Sequence, residues 1–181
     1  IAGRNERDDG LVRVALPAGT VVPIPGTSEF PDDLAVTRTL VISTDEPRPK
    51  RTEEIIVRTL GGAERARFLA AAFTWDAQAS DAGDIAVRID GRIQLFDVRG
   101  TLRRELPGGV FAMGRDGRRL VVEDHGALVV YDVASGAKLR AIAIGAGGAL
   151  ALRGDLAVVA GPDGIAVWNI ETGRQTARLG R

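Results

Sequence analysis

The sequence predicts an all-β protein built from a repeated antiparallel unit of four short strands, roughly forty residues long. Three observations lead to this prediction. The first two are that short apolar runs rich in β-branched residues recur along the chain, and that glycine-containing turns separate them. A third is that no segment has a convincing helical spacing of apolar residues. The nearest case, "GGAERARFLAAAF" at 61–73, begins with two glycines and falls where the repeat requires a strand.

The repeat is aligned on a late apolar residue of one strand in each unit. The segments "IQLFDV", "LVVYDV" and "IAVWNI" place Phe96, Tyr131 and Trp168 at this position, and Val14 and Val57 are their counterparts nearer the N-terminus. The successive intervals are 43, 39, 35 and 37 residues. A repeated structural unit explains this spacing better than chance does.

Tight turns define the strands within each unit. Asp90-Gly91, His125-Gly126 and Asp163-Gly164 separate apolar runs and predict two-residue hairpin turns, because these residue types tolerate positive φ. Strands are predicted before these pairs at 85–89, 119–123 and 156–160, and after them at 93–98, 128–133 and 165–170. The innermost strands of the three units are predicted at 71–75, 110–113 and 149–153. The outer strand that ends the last unit is predicted at 177–179.

The repeat predicts a single domain of five consecutive units. Residues 1–28 are expected to form a partial first unit that contains outer strands, and residues 29–69 an irregular unit. Residues 70–106, 107–146 and 147–181 are expected to form complete units. A small sheet of this kind cannot bury both faces alone, so the units are expected to stack on one another.

One segment carries a family resemblance. "GPDGIAVWNIETGR" at 161–174 resembles the third strand of a WD-repeat blade, with Asp163 in the turn before it, Trp168 late in the strand and Thr172-Gly173 after it. "FD" at 96–97 and "YD" at 131–132 occupy the position of that family's Trp-Asp dipeptide. The family's Gly-His dipeptide is absent and Asn169 replaces the Asp, so degenerate or quinoprotein-like bacterial propellers are equally similar.

The resemblance covers most of the chain and is best in the C-terminal hundred residues. It implies a β-propeller of about four blades plus a partial one. Because the sequence starts within a unit and ends on an outer strand, we expect a larger propeller, or a ring completed by another chain.

Composition narrows the classes of partner. Acidic and basic residues number 24 each, so the net charge is zero and neither nucleic acid nor an anionic membrane surface is an expected partner. Cysteine is absent, which excludes disulfides, thiolate metal sites and a cysteine nucleophile. No apolar run approaches a membrane span. The arginine-rich basic set favours a bacterial origin, and an extracytoplasmic location is preferred over a cytoplasmic one.

Few residues are candidates for chemistry. His125 is the only histidine and is predicted to be a solvated turn residue. Asp97, Asp132 and Asn169 are predicted to bond the turns that follow them. "SDAGD" at 80–84 gathers two carboxylates, but it lacks the ligand spacing of a calcium loop.

Three further segments are interpreted as structural in the first place. "DEPRPKRTEE" at 45–54 is predicted to be a long solvated hairpin loop, with an interaction loop as the alternative. Trp75-Asp76 ends a candidate inner strand and is assigned to core packing, with the central channel as the alternative. "GAGG" at 145–148 leads into a strand and not a helix, so it is a connection and not a phosphate cradle.

The leading functional hypothesis is therefore a non-catalytic propeller module that binds or scaffolds a protein or peptide, with no cofactor and no catalytic or metal-binding residue. One alternative is a fragment of a quinoprotein-like or hydrolytic propeller enzyme whose active site lies elsewhere. The other is an extracytoplasmic ligand- or carbohydrate-sensing domain, which the low aromatic content of 4% disfavours.

Overall fold

A computed structural model describes residues 2–5, 10–15, 20–24, 33–45, 54–69, 74–145 and 147–180. The regular structure in these ranges consists entirely of β-strands, which form five sheets. The prediction of an all-β fold is therefore confirmed. The partial helical pattern at 61–73 also gives a strand, which runs from Glu64 to Leu69.

The strands follow one another in chain order, and each sheet uses consecutive strands. The first sheet contains β1 (Ala2–Asn5), β2 (Gly10–Ala15) and β3 (Thr20–Pro23). The second contains β4 (Asp33–Val36), β5 (Leu40–Asp45), β6 (Glu54–Thr59) and β7 (Glu64–Leu69). The third contains β8 (Thr74–Ala79), β9 (Ile85–Ile89), β10 (Arg92–Phe96) and β11 (Leu102–Pro107). The fourth contains β12 (Phe111–Met113), β13 (Arg119–Asp124), β14 (Ala127–Asp132) and β15 (Lys138–Ala143). The fifth contains β16 (Ala149–Arg153), β17 (Leu156–Gly161), β18 (Gly164–Asn169) and β19 (Arg174–Leu179).

Each four-stranded sheet is an antiparallel meander in which sequence neighbours pair. Asp90 and Gly91 have φ values of 47° and 73°, and His125 and Gly126 have 48° and 80°. Positive φ at both central residues is the conformation of the two-residue hairpin, as the sequence predicts. In the fifth sheet the loop is instead Pro162-Asp163, because Gly161 pairs with Gly164 at the start of β18.

A bulge occurs at the same place in all four meanders and fixes the alignment of the repeat. The register between third and fourth strands shifts just before Arg58, Phe96, Tyr131 and Trp168. The counterpart of the three aromatic residues is therefore Arg58, and the sequence alignment on Val57 is wrong by one residue. Of the innermost strand predicted at 71–75, residues 71–73 lie outside the described residues, and residues 74–75 belong to β8, which runs from Thr74 to Ala79.

The hydrophobic core lies in seams between successive sheets. Branched aliphatic residues from the facing sheets interdigitate there, as in the seam where Ile93 and Leu95 of the third sheet meet Phe111 and Leu120 of the fourth. The same arrangement joins the second sheet to the third and the fourth to the fifth. Each seam consists of one face from each sheet, so an internal sheet is buried on both faces.

Polar contacts link the sheets at defined points. On the innermost strands, the Gln78 side-chain amide donates to the Phe111 carbonyl (2.9 Å) and accepts from the Met113 N–H (2.8 Å). On the outer strands, the Arg104 guanidinium donates to the Ala134 carbonyl (2.7 Å from Nη2) and lies beside Gly136. A turn of one sheet thereby rests on the outer strand of the sheet before it.

Gly117 provides a test of this close packing, and Gly91 is its matched control. Both have φ near +72°, but a Cβ at Gly117 would lie 2.6 Å from Asp84 Oδ2 and 2.8 Å from Ser80 Oγ, whereas nothing is within 4 Å at Gly91. Gly91→Ala is expected to lower the free energy of unfolding by about 1–2 kcal/mol through backbone strain alone. Gly117→Ala is expected to exceed that by about 1 kcal/mol or more in urea denaturation. Equal losses would show that the seam tolerates a methyl group.

Candidate binding surfaces

The three polar residues that follow the aromatic positions bond the adjacent turns. Asp97 Oδ1 accepts from the Arg99 and Thr101 N–H groups (2.9 and 3.0 Å), and Asp132 Oδ1 accepts from the Ser135 N–H (2.8 Å). These bonds match the predicted structural role.

The other two four-stranded sheets use other residue types for the same contact. Asn169 Oδ1 accepts from the Thr172 N–H (2.8 Å), so the exchange of Asp for Asn keeps the bond. Thr59 has this role in the second sheet, where its hydroxyl accepts from the Ala63 N–H (3.1 Å). Sequence reasoning missed Thr59, although its place directly after the corrected alignment position would have identified it.

The two aspartates in these turns are held in their charged form. The backbone hydrogen bond from Thr101 is the main cause of a lowered pKa at Asp97, and the Ser135 hydroxyl is the main cause at Asp132. Arg119 adds to the effect at Asp132, since its Nη1 lies 3.1 Å from Oδ2. A carboxylate that is charged at neutral pH and bonded to its own turn is suited to holding backbone in place and not to transferring protons.

His125 lies in the predicted turn between β13 and β14. Its side chain is 97% exposed, and its polar contact is between Nδ1 and Asp124 Oδ1 at 2.6 Å. Catalysis by general acid or base needs a group that is held against a substrate. An imidazole that projects into solvent from a hairpin tip lacks that setting.

The 80–84 segment forms a turn whose two carboxylates already have cationic partners. Asp84 Oδ1 accepts from Arg103 Nη1 at 3.0 Å within the third sheet. Asp81 accepts from the Arg38 N–H at 2.8 Å, and its Oδ2 lies 3.2 Å from Arg38 Nε and 2.8 Å from Arg115 Nε. The backbone bond from Arg38 is the main cause of a lowered pKa at Asp81. The segment therefore joins three successive sheets on one rim.

Parts of the predicted segments lie outside the described residues. These are residues 46–53 of the polar loop, residues 71–73 of the predicted inner strand and Ala146 of the glycine-rich connection. Trp75 lies in β8, and Asp76 beside it is half-buried. In the ranges the structure describes, no three metal-ligating side chains converge, and no helix is long and apolar enough to cross a membrane.

The C-terminal sheet has one covered face and one open face. Ala157 and Val159 point into the seam with the fourth sheet and are buried. The middle of the opposite face is apolar, since Val158 pairs with Val167 and Ala160 with Ile165, while Leu156 at its edge pairs with Asn169. Leu156 is 42% exposed and Ile165 40%, and Leu179 on the neighbouring strand is 65% exposed. No described residue covers this open face.

A cleft of about 470 Å³ lies at the seam between the second and third sheets. Leu40 and Val98 give it apolar walls, and Arg65 and Arg99 give it two cationic side chains. Both arginines are exposed, and neither forms an ion pair with a described residue. The threonines Thr39 and Thr59 complete the lining. Sequence reasoning singled out none of these residues.

Comparison with known proteins identifies the fold. The chain superposes on BamB from Moraxella catarrhalis with a TM-score of 0.65 and 15% identity, over 99% of this chain and 67% of that one. It superposes on the Cps50 (Swd1) β-propeller domain from Myceliophteria thermophila with a TM-score of 0.66 and 17% identity, over 93% of this chain and 64% of that one. The chain thus has a β-propeller fold and spans about two thirds of the length of these structures. No family model and no curated protein sequence matches it.

The lowered pKa values of Asp97 and Asp132 predict acid sensitivity. A carboxylate whose pKa is lowered by folding stabilises the fold above its unfolded value of about 3.9, and that stability is lost as the pH falls through the folded value. The urea midpoint is therefore expected to fall below about pH 4. Asp132→Asn, which copies the residue at position 169, is expected to fold at neutral pH. Its urea midpoint is expected to fall less with decreasing pH than that of the wild-type protein.

The control for this experiment is Asp155→Asn, an exposed aspartate in the turn between β16 and β17. The fall of its urea midpoint with decreasing pH is expected to match that of the wild-type protein. An Asp132→Asn curve that is parallel to the wild-type curve between pH 5 and pH 2 would contradict the assigned role.

Proposed function

We propose that this chain is a non-catalytic propeller module that acts by binding or scaffolding a protein. The open face of the C-terminal sheet carries the proposal, because it is an apolar surface with the composition of a seam. A surface of this kind on a soluble propeller is expected to contact another polypeptide.

The equivalent face of the fourth sheet supports this interpretation. Relative to the bulge, Val158 and Val167 correspond to Val121 and Val130, which pair with each other in the same way. Ile165 and Leu179 likewise correspond to Leu128 and Ile142. The four residues of the fourth sheet are 0–5% exposed because the fifth sheet covers them. The same residue types in the same register lie uncovered on the fifth sheet.

The shape and chemistry of the face define the partner. The Val, Ile, Leu and Ala side chains in the middle of this face offer no hydrogen-bonding group, so the surface that fits them is another antiparallel sheet with aliphatic side chains. Fully burying one Val, Leu or Ile contributes about 1.5–3 kcal/mol. Several such side chains together favour a stable contact, made either by a further blade or by another chain.

The candidate side chains from the sequence have structural contacts. Among the described residues, His125 projects from a hairpin tip, and the turn aspartates are bonded to their own backbone. The acidic pair at 80–84 is paired with arginine. None of these side chains is held in the position of a general base against a substrate.

Substitution on the open face tests the proposal. Val158→Asp with Val167→Asp places two charges in the middle of the face, whereas Leu102→Asp places one on the outer strand of the third sheet, where that leucine is 46% exposed. We expect the wild-type chain to associate with increasing concentration in sedimentation velocity, since one copy can cover the face of another. The double variant is expected to stay monomeric, and the Leu102→Asp variant to behave as wild type.

Melting temperature and hydrophobic-dye binding complete the experiment. A double variant that melts near the wild-type temperature excludes misfolding as the cause of any loss of association. A wild-type chain that stays monomeric and binds no more dye than the double variant would contradict the proposal.

A further inference from the structure

We propose that the cleft between the second and third sheets binds an acidic peptide segment, in which a carboxylate side chain meets Arg65 and Arg99 and a neighbouring aliphatic side chain packs on Leu40 and Val98. This site lies on the rim, away from the open face of the C-terminal sheet, and rests on different observations. The two proposals can therefore fail separately.

The first step is the unbalanced charge. Arg65 and Arg99 line one cavity, and the acidic side chains beside them are already engaged: Glu64 pairs with Arg67 (2.9 Å), and Asp97 accepts from its own turn and lies 3.7 Å from Arg103. The cleft therefore has two cationic groups without a described counterion. Guanidinium groups bind carboxylates through paired, charge-assisted hydrogen bonds.

The second step is that the backbone carrying Arg99 is held in place. The Arg99 N–H donates to Asp97 Oδ1 at 2.9 Å, and Gly100 packs directly against the Phe68 ring of the second sheet. Phe68 in turn packs on Phe96, with ring centroids 4.9 Å apart. A rigid backbone lowers the entropy that is lost when a ligand binds.

The third step is the shape of the cleft. It is open to solvent and has apolar walls from Leu40 and Val98, with hydroxyl groups from Thr39 and Thr59 at its margins. A small inorganic anion would leave these walls uncovered, whereas a peptide can present a carboxylate and an aliphatic side chain together. The zero net charge of the chain disfavours an extended polyanion such as nucleic acid.

Two other exposed arginines provide controls for Arg65 and Arg99. Arg153 and Arg174 of the fifth sheet are likewise exposed and without a described acidic partner, but they do not line this cavity. They therefore serve as matched controls, because each removes the same charge from the surface of the same chain.

The test is fluorescence anisotropy with a labelled peptide that alternates Glu with Leu, and with the same peptide carrying Gln in place of Glu. We expect saturable binding of the Glu peptide that weakens with added salt, and binding of the Gln peptide that is about tenfold weaker or more. Arg65→Gln and Arg99→Gln are each expected to weaken binding about tenfold. Arg153→Gln and Arg174→Gln are expected to leave it unchanged.

The melting temperature of each variant is measured in parallel to exclude misfolding. We expect it to match that of the wild-type protein, because exposed arginines can be replaced without loss of the fold. The proposal would be overturned by the absence of saturable binding, by equal affinity for the two peptides, or by equal weakening in the control variants. Inorganic phosphate that displaces the peptide at comparable concentration would also overturn it, since the cleft would then be a site for anions in general.

Discussion

The structure depends on one constraint: a sheet of four short strands with aliphatic side chains on both faces is stabilised by a neighbouring sheet that packs on each face. Every seam satisfies this constraint with the same residue types, so a simple repeat of β-branched and aliphatic positions is sufficient to build the propeller. The polar contacts have a different role. Gln78 and Arg104 reach across seams to backbone groups and fix how one sheet is placed on the next.

The same constraint separates the two proposed sites. The open face of the fifth sheet is a surface that no described residue covers, and its aliphatic side chains are of the same types as those in the core. The rim cleft lies where the second and third sheets meet, and its walls are the ends of strands and the turns between them. One surface is thus suited to a large apolar partner, and the other to a short charged segment.

Much of the fold could be predicted because local chemistry determines it. Asp90-Gly91 and His125-Gly126 tolerate the positive φ that a two-residue hairpin requires, and the hairpin then fixes the strands on either side. The alignment on Val57 failed for a physical reason: the equivalent position holds Arg58, a buried charged residue whose Nη1 donates to Ser43 Oγ at 3.0 Å. A search for apolar residues passes over such a position, since the compensating partner lies on another strand.

The candidate sites were beyond sequence reasoning for a related reason. Val158 has the same pattern around it as Val121, and only the stacking order shows that one is covered and the other is not. Arg65 and Arg99 are two arginines among many, 34 positions apart, and the seam alone brings them to one cavity. Sequence patterns describe the sheets well, whereas function on a propeller depends on how sheets meet.

The one-sided burial of the fifth sheet has a consequence for how the molecule opens. Among the described sheets, each of which contacts only its neighbours, detaching the third or fourth breaks two seams, but detaching the fifth breaks a single seam. Local unfolding should therefore begin there, and β19, whose side chains are all exposed, should lead it. Hydrogen exchange would record this as a gradient of protection that rises from the fifth sheet towards the third.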